Sequence, residues 1–237
     1  MNNPLNVTTH SFTDCQAQAQ ALAERVAGRL RTALEERGQA VMAVSGGSTP
    51  KDFFERLSRE KLDWSKVQVT LVDERWVPDS DERSNARLVK SHLLQHAAAG
   101  ASLVPLFTGD ATPEAGLAVA DDRIGALSLP FDVVVLGMGE DGHTASFFPG
   151  GDHLAEALDP HGRARVLPMH APDAGEPRIT LTLPTLLDTR ALYLLVSGEK
   201  KRDLLADARL GLGAARDYPV RAVLTQQRVP VAVYWCP

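Results

Sequence analysis

The sequence predicts an α/β fold built on a mostly parallel sheet, and three observations carry that expectation. Short apolar runs recur along the 237 residues, at Ala40–Val44, Val67–Val72, Phe131–Leu136 and Ala191–Val196. Runs of this length with little polar alternation read as strands buried on both faces, as in a parallel sheet. Stretches of helical spacing lie between them, which is the order that right-handed crossovers require. Finally, glycine-rich turns carrying polar residues follow directly on several strands, and open α/β sheets place their chemistry there.

In chain order, Thr13 and Gln16 form a capping-box pattern ahead of Leu22, Val26, Leu30 and Leu34 at helical spacing, with Gly38 as the stop. After the strand Ala40–Val44 comes Ser45-Gly46-Gly47-Ser48-Thr49-Pro50, where Thr49 suits an N-cap and Pro50 the first helical position of a helix bearing Phe53, Phe54 and Leu57. The strand Val67–Val72 ends in Asp73-Glu74-Arg75-Trp76. Ser84 can cap a helix with Leu88, Leu93 and Leu94, and Leu103–Phe107 reads as a strand. Thr112-Pro113 starts a helix reaching about Leu127. The central apolar run then leads into Gly137-Met-Gly-Glu-Asp-Gly-His143. Residues 149–177 are rich in Gly, Pro, Asp and His and read as loop around a short strand at Val166–Met169. Strands are expected at Ile179–Leu183, Ala191–Val196 and Val231–Trp235, with Ser197-Gly198 opening a helix through Leu204 and Leu205. No repeat, low-complexity tract or linker interrupts the chain, so a single domain over 1–237 is expected.

Composition narrows the function. A net charge of −5 leaves no basic footprint for nucleic acid, so an anionic substrate would need cations placed locally. No apolar run approaches membrane-spanning length, and the first ten residues lack a charged segment followed by an apolar one, which predicts a cytoplasmic protein. Cys15 and Cys236 stand near opposite ends without framework or metal spacing and are expected to be reduced thiols.

Several clusters can carry chemistry. Gly46 and Gly47 expose backbone N–H groups, with hydroxyls from Ser48 and Thr49, so the loop reads as an anion cradle; its alternative is an ordinary capped turn. Asp73, Glu74 and Arg75 put two carboxylates and a guanidinium at a strand end. Lys200 and Lys201 oppose the dipole of the helix they begin, a cost that an anion nearby would offset. Arg178 is a weaker candidate cation. Glu140, Asp141 and His143 form a titratable cluster beyond the central strand. Gly137 to Gly142 satisfies G-x-G-x-x-G, but Pro149-Gly150-Gly151 cuts off the helix that a dinucleotide site needs. His92 and His96 lie one helical turn apart without the glutamate of H-E-x-x-H and are expected to be solvated. No G-x-S-x-G elbow occurs.

Taken together, VSGGSTP at 44–50, VDERWVP at 72–78, Ser84-Asn85, LGMGEDGHTASFFPG at 136–150, RITLTLP at 178–184 and SGEKK at 197–201 resemble the 6-phosphogluconolactonases. The resemblance spans nearly the whole chain. It implies a Rossmann-like three-layer α/β/α sandwich and hydrolysis of a sugar-phosphate lactone without a cofactor. A monomer or weak homo-oligomer is expected, with no nucleic-acid or membrane partner. For that reaction the expected roles are His143 as general base with Asp141 beside it, Arg75 at the carbonyl oxygen oriented by Asp73, and Ser45, Gly46, Gly47, Ser48, Thr49, Arg178 and Lys200 around the phosphate. The related glucosamine-6-phosphate deaminases look like D-G-H-I-A-F-N-E-P, and their glutamate is replaced here by Phe148, which favours the lactonase. A sugar-phosphate-sensing regulator is the non-enzyme alternative, with no helix-turn-helix segment expected ahead of residue 45.

Overall fold

Strands apolar on both faces must be covered above and below, and in the computed structural model, which describes residues 6–172 and 174–237, helices pack on both sides of the sheet. The chain opens with β1 (Val7–Ser11), α1 (Cys15–Arg37), β2 (Ala40–Val44), α2 (Lys51–Leu57), β3 (Val67–Leu71) and β4 (Asp73–Arg75). It continues through α3 (Asn85–His92), β5 (Ser102–Val104), α4 (Pro113–Gly125), β6 (Val133–Leu136), α5 (Leu154–Ala157), β7 (Val166–Met169) and β8 (Arg178–Leu181). It ends with α6 (Leu183–Leu187), β9 (Leu192–Ser197), α7 (Glu199–Leu210), α8 (Val220–Thr225) and β10 (Val231–Cys236).

Seven strands form one parallel sheet in the order β1-β10-β9-β6-β2-β3-β5. The expected parallel α/β architecture is therefore present. From β2 the chain builds outward through β3 and β5, whereas β6, β9 and β10 build the other way. The reversal lies between β2 and β6, whose register pairs Val44 with Val135. Side-by-side loops leaving such a reversal diverge and open a crevice at the carboxyl ends of the strands. A second, three-stranded sheet, β4-β8-β7, is antiparallel and stands beside that crevice. The core is filled by Phe53, Phe54, Phe131 and Phe147 among many aliphatics, all four rings fully buried.

Local chemistry explains where the elements depart from expectation. Asp14, not Thr13, caps α1: its backbone is extended and its carboxylate accepts the Ala17 N–H at 2.8 Å. Gly38 ends that helix in the left-handed conformation, φ 72°. Pro50 is already helical, which moves the start of α2 past Thr49 and leaves the Thr49 hydroxyl to face Ser197 at 3.5 Å. Ser84 and Thr112 cap as expected. The strand expected at Ile179–Leu183 runs Arg178–Leu181 and joins the small antiparallel sheet, with α6 beginning at Leu183.

The expectation of two reduced thiols is corrected. Cys15 follows β1, Cys236 closes β10, and these strands are neighbours, so residues 221 positions apart form a disulfide.

Candidate active site

The crevice between β2 and β6 is a cleft of about 330 Å³, within the usual range for a small-molecule site. Two walls line it. The first comes from the loops after β2 and β6. There the Ser45 hydroxyl donates to the Val135 carbonyl at 3.1 Å and accepts the Gly137 N–H at 2.9 Å, stitching the loops together. Ser45 was expected to hold an anion; its hydroxyl is engaged in the joint instead. Gly46 has no room for a side chain, since a Cβ there would fall 1.8 Å from Asn85 Oδ1. Gly46, Gly47, Ser48 and Thr49 line the cleft.

On the β6 loop, the Asp141 carboxylate faces His143 Nδ1 at 2.6 Å and accepts the His143 backbone N–H at 3.2 Å. Burial pushes the Asp141 carboxyl up, but the bonds from His143 outweigh it and hold it below the ordinary value. An ionised partner on Nδ1 fixes the tautomer with the proton there, which leaves Nε2 as an acceptor. The ring is held from above by Phe148, centroids 4.4 Å apart. A Cβ at Gly139 would fall 2.2 Å from Nδ1, so only glycine permits this approach.

The small sheet supplies the second wall. Arg75 and Arg178 are direct cross-strand partners, and Asp73 pairs with Thr180 two positions along the same face. Like charges directly opposite each other destabilise a sheet unless an anion lies between them. Burial pulls the Arg178 pKa below its ordinary value; Asp73 opposes that pull and the Arg75 charge adds to it. Both guanidiniums are anchored on backbone carbonyls: Arg75 donates to that of Arg83, and Arg178 donates through Nη2 to Ala174 at 2.6 Å and through Nε to Glu176 at 3.3 Å. Arg75 Nε is buried with no hydrogen-bond partner among the described residues. Asp73 is held by the Ser146 hydroxyl, which donates at 2.6 Å, while Asn85 Nδ2 donates to the Asp73 carbonyl at 2.9 Å. Glu74 points the opposite way and is fully buried. It accepts the Arg75, Asn85 and Ala86 N–H groups at 2.7–2.8 Å and the Ser84 hydroxyl at 3.0 Å. Burial nevertheless pushes its carboxyl up to about 7.

The structure thus brings His143, Arg75, Asp73, Arg178 and the Ser45–Thr49 loop to one cleft, with Asp141 behind the imidazole. It does not bring Lys200 there. Lys200 is exposed and pairs with Glu140, and Lys201 lines the cleft instead. Successive helical positions diverge by about 100°, so one residue separates the outer face from the cleft. Arg83 pairs with Asp81 and Glu176, both at 3.0 Å. His92 Nδ1 lies 2.9 Å from Glu55. Asn85, Ser146 and Lys201 are the site residues that sequence reasoning left without a role. Asn85 had a signal in the Ser84-Asn85 pair; Ser146 had none.

An open parallel sheet with an acid-backed imidazole facing paired guanidiniums at its switch point defines a class, an α/β protein equipped for an anionic substrate and proton transfer. A family described as glucosamine-6-phosphate isomerases/6-phosphogluconolactonase matches residues 13–235, and the chain belongs to it. Its relatives include a 6-phosphogluconolactonase of Rhizobium meliloti, 51% identical over 98% of this chain and 100% of its own, and one of Pseudomonas aeruginosa, 45% identical over 99% and 97%. A solved 6-phosphogluconolactonase from Shewanella baltica is similar with a TM-score of 0.91 and 41% identity, covering 98% of both chains.

Proposed function

We propose that this chain hydrolyses 6-phospho-D-glucono-1,5-lactone to 6-phospho-D-gluconate, the second step of the oxidative pentose phosphate pathway. The observation that carries the reading is the Asp141–His143 pair lining one cleft with Arg75 and Arg178. With its Nδ1 proton held on Asp141, His143 takes a proton at Nε2 from the attacking water. The hydroxyl adds to the lactone carbonyl, and charge collects on the carbonyl oxygen. Arg75 stabilises that charge, a role its unpartnered buried Nε–H supports. The ring oxygen then leaves and receives the proton back from His143, so one water is consumed and no electrons move. Asp73, fixed by Ser146, orients the guanidiniums. The phosphate is held by the Gly46 and Gly47 backbone, Ser48, Thr49, Arg178 and Lys201. The chemistry calls for no cofactor.

The deaminase reading needs a carboxylate where Phe148 stands, and that ring packs on His143 and under Arg178. We further read the chain as a single cytoplasmic domain, monomeric or weakly self-associating, without a nucleic-acid or membrane partner. Its net charge of −5 supports the lack of a nucleic-acid partner, and no helix among the described residues is long and apolar enough to cross a membrane.

The test supplies freshly generated lactone and subtracts its spontaneous hydrolysis. Phosphorylated lactone should be consumed at least ~10²-fold more efficiently than gluconolactone, as two charge-assisted contacts to phosphate imply. Glucosamine 6-phosphate should release no ammonia. Equal rates on both lactones, or ammonia release at a comparable rate, would overturn the reading.

A further inference from the structure

A second cavity, of about 170 Å³, lies where α1 crosses β9, β10 and β1, and it shares no lining residue with the cleft. The registers His10 with Tyr234 and Tyr193 with Ala232 set three rings on one face of the sheet. The Tyr234 ring stands 5.0 Å from His10 and edge-on to Tyr193 at 5.8 Å. Over them lie Arg25 and Arg29, one helical turn apart on α1, and Arg190 lines the same cavity. Three guanidiniums and an imidazole therefore meet without a carboxylate among the described lining residues. Arg190 does reach Asp132, at 3.5 Å, but that carboxylate is already paired with Arg37. Arg25 interacts with the Tyr234 hydroxyl and Arg29 with that of Tyr193.

Like charges one turn apart cost a helix stability, a cost set against the contacts with the two tyrosine hydroxyls. The chain as a whole is acidic, which makes the local excess sharper. Both tyrosines are only 4% exposed, yet their hydroxyls reach the arginines. Burial raises the Tyr193 hydroxyl further, so it remains an O–H donor at neutral pH. A planar guanidinium fork matches the oxygens of a phosphate, and neutral hydroxyls can complete its coordination. At about 170 Å³ the cavity has room for a phosphate group.

We propose that this cavity is a second anion site, which takes inorganic phosphate or the phosphate group of a small monoester. Arg25 and Arg29 grip the oxygens, Tyr193 and Tyr234 donate from the floor, and Arg190 screens the remaining charge.

The chain has three tyrosines, which makes the test direct. Tyr193 and Tyr234 report on this cavity. Tyr218 packs against Gly142 in the loop carrying His143 and reports on the cleft. Protein labelled with ¹³C at tyrosine Cζ is titrated with inorganic phosphate and, separately, with glycerol 3-phosphate, with sodium chloride at matched ionic strength as control. Saturable shifts of Tyr193 and Tyr234 are expected with phosphate and absent with chloride. A tighter response to the monoester would identify a phosphorylated metabolite as ligand, and a tighter one to phosphate the free ion. The double variant Arg25→Gln, Arg29→Gln should weaken this response at least ~10-fold, the loss expected when charge-assisted bonds are removed, and leave the Tyr218 response unchanged. Arg190→Gln, which leaves α1 untouched, should weaken it in the same direction. Shifts that follow chloride equally, or that survive both variants at wild-type strength, would overturn the proposal.

Discussion

The two walls of the cleft are built on different principles. The wall from the parallel sheet is made of loops. Glycines let backbone N–H groups and the His143 ring approach closely, and each motif is continuous in sequence. The wall from the antiparallel sheet is made of register. Arg75 and Arg178 lie 103 positions apart and face each other only because β4 pairs with β8. In the proposed mechanism the loops supply the group that moves protons, whereas register supplies fixed charge at some cost in stability. A substitution in the first wall should therefore remove chemistry and spare the fold, while one in the second should exchange activity against stability.

His143→Ala puts the first half of that contrast at risk. It should lower kcat by roughly 10²–10⁴ with KM nearly unchanged, because a general base acts after binding. Steady-state kinetics with spontaneous hydrolysis subtracted decides it, and near-wild-type kcat would remove His143 as the base. For the second wall, Arg178→Met should cut kcat/KM about 10²-fold, yet leave thermal stability close to wild type, since relief of a like-charge pair offsets the loss of two bonds, to the Ala174 and Glu176 carbonyls. A large fall in melting temperature would show that the pair is structural.

Glu74 sharpens the comparison through pH. Its folded pKa, raised to about 7 by burial, exceeds the ordinary 4.5, so between those values the folded state holds a proton that the unfolded state has released. Stability from this group is present below pH 4.5 and lost as pH rises through 7, about 3 kcal/mol across the window at 1.36 kcal/mol per unit. Glu74→Gln cannot titrate. Denaturant unfolding should find its deficit largest near pH 5 and smaller near pH 8; a constant deficit would exclude the titration. Last and smallest, Lys201→Ala should raise KM about tenfold for the phosphorylated lactone, the effect of one charge-assisted contact, whereas Lys200→Ala should change it less than about twofold, as expected for an exposed ion pair. The reverse ranking would place the phosphate on the outer face of α7.

Much of this was legible from the sequence. The strands Ala40–Val44 and Val166–Met169, the caps at Ser84 and Thr112 and the stop at Gly38 follow from local rules that tertiary packing did not override. β1 was hidden because Val7–Ser11 is a half-exposed edge strand with one apolar residue in five. β4 is three charged residues, which hydrophobic periodicity cannot register. The site was legible where it is continuous, as in the loop holding Asp141 and His143. Lys201 and Ser146 were not, since which of two adjacent lysines faces a cleft, or which serine meets Asp73, is set by packing across distant elements.

The Cys15–Cys236 bond closes the chain between them into a ring. Cutting an exposed loop of a ring leaves one linear molecule, so a single nick would not release a fragment while the bond is intact. Closing a loop of 221 residues also removes entropy from the unfolded chain, about 5 kcal/mol in the chain-entropy account. In a reducing cytoplasm that ring would open, and the same protein would meet proteases as a line.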